Sequence, residues 1–87
     1  MISIFYGDHF LKSARQLPLS QRKKLAKLLE IIKENPFDPQ IHTKHLAGKL
    51  SGLYSFRITR DWRVIFQFLS PFEVLLVDVA HRKDIYR

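Results

Sequence analysis

The chain ends in a dense set of reactive side chains: His81-Arg82-Lys83-Asp84-Ile85-Tyr86 brings an imidazole, two cations, a carboxylate and a phenol into one short segment. Histidine is the residue type that exchanges protons near neutral pH, and arginine and lysine hold anions. Upstream, Arg57 and Arg63 lie on either side of Thr59-Arg60-Asp61, which adds a further carboxylate. Together these groups can hold a phosphate and move a proton beside it.

Where they stand depends on three strand-like runs. In Leu53 to Ile58, Tyr54, Phe56 and Ile58 alternate with Ser55 and Arg57; in the next run Trp62, Val64, Phe66 and Phe68 alternate with Arg63, Ile65 and Gln67. A period of two marks strands with one side against a core. Residues that face each other in an antiparallel pair share a side of the sheet, so the apolar sides coincide only across a loop of odd length, and Thr59-Arg60-Asp61 fits. This register predicts Ile58 against Trp62, Phe56 against Val64, Tyr54 against Phe66, and Arg57 directly against Arg63. Like charges so placed cost a few tenths to about 1 kcal/mol. A phosphate gripped between two guanidinium forks removes that cost. The plainer reading is that the arginines pair with acids such as Asp78 or reach solvent. The third run, Phe72 to Ala80, is apolar on both sides apart from Asp78, which predicts a central or well-covered strand that delivers His81 to the sheet edge.

Ahead of these runs, Ile2 to Tyr6 reads as a short strand closed by Gly7, with Asp8 as the cap of a helix carrying Phe10, Leu11, Ala14 and Leu17 up to Pro18. Ser20 then caps a second helix over Gln21 to Glu34, stopped by Asn35-Pro36. Its stripe of Leu25, Leu28, Leu29 and Ile32 is expected to cover the aromatic side of the sheet, leaving the side with Arg57 and Arg63 open. The basic run Arg22 to Lys27 reads as a solvated helix exterior. Asn35 to Gly52, with Pro36, Pro39, Gly48 and Gly52 and no sustained period, reads as a long loop carrying His42, Lys44, His45 and Lys49. His42 and His45 with His81 are the one set to weigh as metal ligands, but no carboxylate pattern accompanies them, and no metal or other cofactor is expected.

An 87-residue chain forms one domain, residues 1–87, able to bury a single core. The absence of cysteine excludes disulfides and thiolate chemistry and fits a reducing compartment. No apolar run approaches the roughly 18 residues of a membrane span, and the opening residues are too short for a signal segment, so a soluble cytoplasmic protein is expected. A formal charge of +7 favours a polyanion or an acidic protein as partner.

His45-Leu46-Ala47-Gly48-Lys49-Leu50-Ser51-Gly52, Tyr54-Ser55-Phe56-Arg57-Ile58, Asp61-Trp62-Arg63-Val64-Ile65-Phe66 and the closing His81-Arg82-Lys83-Asp84-Ile85-Tyr86 occur in an order and spacing that resemble the RelE/ParE toxin superfamily, over essentially the whole chain. The resemblance implies an α+β fold of order β-α-α-β-β-β, with a mainly antiparallel sheet and two helices packed on one face. It implies a type II toxin of the RelE-like branch: an endoribonuclease acting on mRNA in the ribosomal A site, monomeric within a larger complex with a co-expressed antitoxin.

By the same resemblance, Arg57 and Arg63 occupy phosphate-contact positions, His81 matches a terminal histidine, Tyr86 matches a C-terminal aromatic that stacks on or protonates the substrate, and Asp61 resembles an acid of one branch. As a turn residue, Asp61 has an equally good structural explanation. Metal-free cleavage requires a base for the 2′-OH, cations for the phosphate and an acid for the leaving 5′-oxygen. The expected roles are proton exchange at His81, with His45 as second candidate, a phosphate clamp at Arg57 and Arg63, and RNA contacts at Lys44, His45, Lys49, Arg82 and Lys83. The competing readings are a ParE-like inhibitor of DNA gyrase without RNase activity and an RNA-binding module without turnover.

Overall fold

The structure, a computed structural model, describes residues 1–85. The expectation placed on Tyr86 lies outside the described residues. The elements run β1 (Ser3–Tyr6), α1 (Asp8–Arg15), α2 (Leu19–Glu34), β2 (Lys44–His45), β3 (Tyr54–Arg57), β4 (Trp62–Ser70), β5 (Glu73–His81) and α3 (Arg82–Ile85). The five strands form one sheet in the order β1-β5-β4-β3-β2, antiparallel except where β1 runs parallel to β5. The fold is thus the expected α+β arrangement, with β2 and α3 as additions that sequence periodicity does not reveal. Two residues of β2 are too few to show a period. The supposed loop from Asn35 also holds 3-10 turns at Pro39–Ile41 and Gly48–Leu50, and it is pinned by the buried Ile41 and Leu46.

The helix starts differ from expectation. Gly7 occupies the cap position of α1 and Asp8 is its first residue, placed to meet the positive end of the helix dipole; Pro18 precedes α2, and Ser20 lies inside it. Gly7 is required by crowding: its N–H donates to the Leu76 carbonyl at 2.9 Å, and a Cβ there would stand 2.8 Å from that same oxygen.

Along α2, Leu25, Leu28 and Ile32 fall on one face and are buried against Phe56, Val64, Phe66, Val74 and Leu76, with Tyr54, Trp62 and Phe68 packed around them. Burying each such aliphatic side chain contributes about 1.5–3 kcal/mol, so this layer is the main support of the sheet. The side of the sheet away from the helices is not open. Leu46, Leu50 and Leu53 from the segment before β3, and Ile85 from α3, cover Ile65, Val77 and Ala80 there.

One irregularity decides which side the end of β5 presents. Ile65 pairs with Asp78 but Phe66 pairs with Leu76, so β5 carries one extra residue at a β-bulge. Before the bulge Val74 and Leu76 face the helices; after it Val79 does. Strict alternation would have turned Val79 and His81 to the other side.

Candidate functional site

The β3–β4 pairing follows the register read from parity: Tyr54 opposite Phe66, Ser55 opposite Ile65, Phe56 opposite Val64 and Arg57 opposite Arg63. The Ile58 N–H donates to the Trp62 carbonyl at 2.9 Å, which closes the turn as a hydrogen-bonded pair. Arg57 and Arg63, one step inward, therefore form a non-hydrogen-bonded pair, the type that holds its Cα atoms closest, at about 4.5 Å. The expected open clamp is corrected in one respect. Arg63 is buried, with 6% of its surface exposed, and its Nη1 donates to the Arg60 carbonyl at 2.9 Å, so the guanidinium bends toward the hairpin tip. Arg57 is half-buried, and its Nε is enclosed with no hydrogen-bond partner among the described residues. A buried guanidinium N–H left without an acceptor is costly unless an anion reaches it.

At the same end of the sheet β5 runs out into α3. His81 stands across from Trp62, with ring centroids 5.3 Å apart and planes at 80°. His81 Nδ1 accepts a hydrogen bond from the Lys83 N–H at 3.2 Å, which in the neutral ring leaves Nε2 as the N–H. The Arg82 N–H donates to the Asp61 carbonyl at 2.7 Å, and Arg82 Nε lies 3.7 Å from Asp61 Oδ1. Asp61 is therefore more than a turn residue: it ties the hairpin tip to the strand exit beside His81. Because of the bulge, His81 presents the same side as Trp62, opposite to the side from which Arg57 and Arg63 emerge. The sequence reading brings His81 to the sheet edge without fixing its side, and the bulge fixes it. The two sets meet at the hairpin tip, to which the Arg63 guanidinium turns back.

The cations of the segment before β3 divide by parity. Lys44 lies opposite Ser55, two residues from Arg57 on the same side, so Lys44, Arg57 and Arg63 form a row across β2, β3 and β4. His45 lies opposite Tyr54 on the other side, its ring 4.9 Å from the tyrosine ring. His45 is level with Phe66 and His81 with Trp62, three strands apart, a separation of about 20 Å at roughly 3.3 Å per residue and 4.8 Å per strand. His45 and His81 cannot act on one phosphate as an acid–base pair. Lys49, in the Gly48–Leu50 turn, and Lys83, in α3, are exposed.

A family model described as the RelE-like toxin of type II toxin-antitoxin system HigB matches residues 1–80. The chain belongs to this HigB-like toxin family.

No curated protein sequence matches this HigB-like toxin significantly. Among solved structures it is similar to the YoeB/ParE toxin from Agrobacterium tumefaciens, with a TM-score of 0.78 at 16% identity over 93% of this chain and 99% of that one. YafQ from E. coli strain BL21(DE3) aligns over 100% of both chains with a TM-score of 0.74 at 18% identity. The archaeal RelE-RelB complex from Pyrococcus horikoshii OT3 aligns with a TM-score of 0.77 at 19% identity, over 93% of this chain and 94% of that one. At such identities these likenesses establish the fold.

Two features of the toxin's site are absent from the sequence reading. Arg60 supplies the carbonyl that holds Arg63, a role that follows from backbone geometry and leaves no mark in residue type. Asp78, weighed above as an arginine partner, instead accepts hydrogen bonds from Ser13 Oγ at 2.8 Å and from the Val79 N–H at 2.7 Å, and it lies 3.3 Å from His9 Nε2. It fastens α1 to β5 just behind the strand end. Among the described residues no group of three histidines and carboxylates converges as a metal site would require. Nor is any described helix long and apolar enough to cross a membrane.

Proposed function

We propose that this HigB-like toxin is an endoribonuclease that cuts mRNA, on the ribosome, by attack of a 2′-hydroxyl on the adjacent phosphate. The observation that carries this reading is the hairpin tip. The paired Arg57 and Arg63, the former with a buried Nε that has no hydrogen-bond partner among the described residues, adjoin Asp61 and the strand exit that bears His81 and Arg82. In this reading the scissile phosphate meets Arg57, and the buried Arg63 adds its charge from behind the hairpin tip, the two together offsetting the negative charge that builds on phosphorus. His81 exchanges the proton, taking it from the 2′-oxygen or returning it to the departing 5′-oxygen. The products are a 2′,3′-cyclic phosphate and a 5′-hydroxyl. Asp61 orients Arg82 and the strand end, and Tyr86 stacks on a base or assists proton transfer. Lys44, Lys49, Arg82 and Lys83 contact the RNA backbone. His45, too distant to pair with His81, serves as a backbone or stacking contact.

Several relatives are solved as toxin–antitoxin complexes, which supports a cognate antitoxin for this chain. With a net charge of +7, its inhibitory segment is expected to be acidic, and the toxin is the monomeric component of the complex. Translating ribosomes place the activity in the cytoplasm.

Mapping transcript ends after brief induction tests the reading. New 5′-hydroxyl ends inside coding regions that vanish with His81→Gln support it. Intact transcripts accompanied by broken DNA indicate a gyrase inhibitor, and salt-dependent RNA binding without new ends indicates a binding module.

A further inference from the structure

We propose that a cleft on the helical side of Trp62 is a nucleobase slot, which receives the base next to the phosphate cut at the hairpin tip, with Gln16 as the residue that reads its edge. The inference rests on the endoribonuclease reading and adds a specificity site to it. The cleft measures about 190 Å³ and lies between the α1–α2 connection and the ends of β4 and β5, lined by Ser13, Gln16, Leu17, Pro18, Trp62 and Val79. Pockets for drug-sized ligands occupy about 300–1,000 Å³, so this one suits a single small ring system.

Its walls have the chemistry of a base site. Leu17 and Val79 are buried and supply an apolar floor, and Trp62 supplies an aromatic wall. Sequence-reading RNA sites use aromatic side chains to stack unpaired bases and amide or hydroxyl groups to meet their edges. Here Gln16 follows the last turn of α1, and its side-chain amide has no hydrogen-bond partner among the described residues, leaving donors and an acceptor to spare. Ser13 lines the cleft, and since its Oγ spends its hydrogen on Asp78, any further bond it makes is as an acceptor.

Position joins the cleft to the chemistry. Val79 and His81 share a side of β5, opposite Val64 and Trp62 respectively, so His81 sits at the rim against Trp62. Arg60, Arg82 and Lys83 are exposed around the same end and suit the phosphates of a strand whose base turns into the slot. A carboxamide pairs two-pronged with the N6/N7 edge of adenine, so adenine is the preferred occupant.

Trp62 is the chain's one tryptophan, so its emission reports the slot directly. Adenosine 5′-monophosphate titrated onto the complete chain should change that emission saturably, more tightly than cytidine or uridine 5′-monophosphate, while ribose 5-phosphate should leave it unchanged. Gln16→Ala, at an exposed position, should weaken adenosine monophosphate about tenfold. An equal response to ribose 5-phosphate, no response to any nucleotide, or an affinity unaltered by Gln16→Ala overturns the slot. The two readings separate cleanly. A chain that cuts transcripts yet fails these titrations loses the slot and keeps the nuclease. A chain that binds adenosine monophosphate through Gln16 yet leaves transcripts intact keeps the slot and loses the nuclease.

Discussion

His81 packs its ring against Trp62, 5.3 Å between centroids, on the side of the sheet that faces the helices. One extra residue in β5 puts it there, so that in the proposed reaction the proton-exchanging ring and the arginine pair would approach the hairpin tip from opposite sides of the sheet. His81→Gln keeps a planar polar side chain of similar reach but removes the exchangeable imidazole. Cleavage of ribosome-bound mRNA should fall by about 10²–10⁴-fold with antitoxin binding retained. A rate within a fewfold of the parent would remove His81 from the proton path.

Arg57 and Arg63 face each other but are not equivalent. Arg57→Met relieves a like-charge pair and removes a buried donor that has no partner among the described residues, so it should raise stability by a few tenths to about 1 kcal/mol. Arg63→Met deletes the bond from Nη1 to the Arg60 carbonyl and should lower stability by about 1.5–3 kcal/mol. Both should depress RNA cleavage. Urea denaturation compared with cleavage rates checks the pattern; equal stability effects would contradict the asymmetry.

Asp61→Asn separates structure from chemistry at the tip. The bond from the Arg82 N–H goes to the Asp61 backbone carbonyl and survives the change, while the exposed side-chain pair at 3.7 Å contributes at most about 1 kcal/mol. Thermal unfolding should therefore be nearly unchanged. A tenfold or larger loss of cleavage in a chain of parental stability would identify the carboxylate as a participant in the reaction.

Gly7→Ala tests the packing that seats β1. The added methyl would meet the Leu76 backbone oxygen at 2.8 Å, an atom that cannot rotate away. The expected loss is about 1–3 kcal/mol, read as a lowered melting temperature. An unchanged melting temperature would mean that β1 and β5 can part without cost.

Asp78→Ala should loosen α1. It removes the acceptor for Ser13 Oγ and for the Val79 N–H, bonds to a charged group that together should cost about 2 kcal/mol or more. Ser13→Ala should cost less, because Asp78 keeps the bond from Val79. Hydrogen exchange in α1 that rises in both variants, and further in Asp78→Ala, is the expected pattern.

The sequence alone determined whatever depends on local period. Alternation in Tyr54 to Phe68, with the three-residue turn between, set the β3–β4 register and so the meeting of Arg57 with Arg63; the stripe Leu25, Leu28, Leu29 and Ile32 set which side α2 covers. Only the tertiary structure decided the side on which His81 emerges. A bulge is fixed by how β5 registers on β4, and an apolar run such as Val74 to Val77 reads the same with or without it. Burial of Arg63 was likewise invisible, because it lies on the side of the sheet that Leu46, Leu50 and Ile85 cover, residues brought there by loop paths rather than by any repeating pattern. Periodicity fixes how neighbours in a strand or helix face, whereas the contacts between distant segments depend on register and packing that no single stretch encodes.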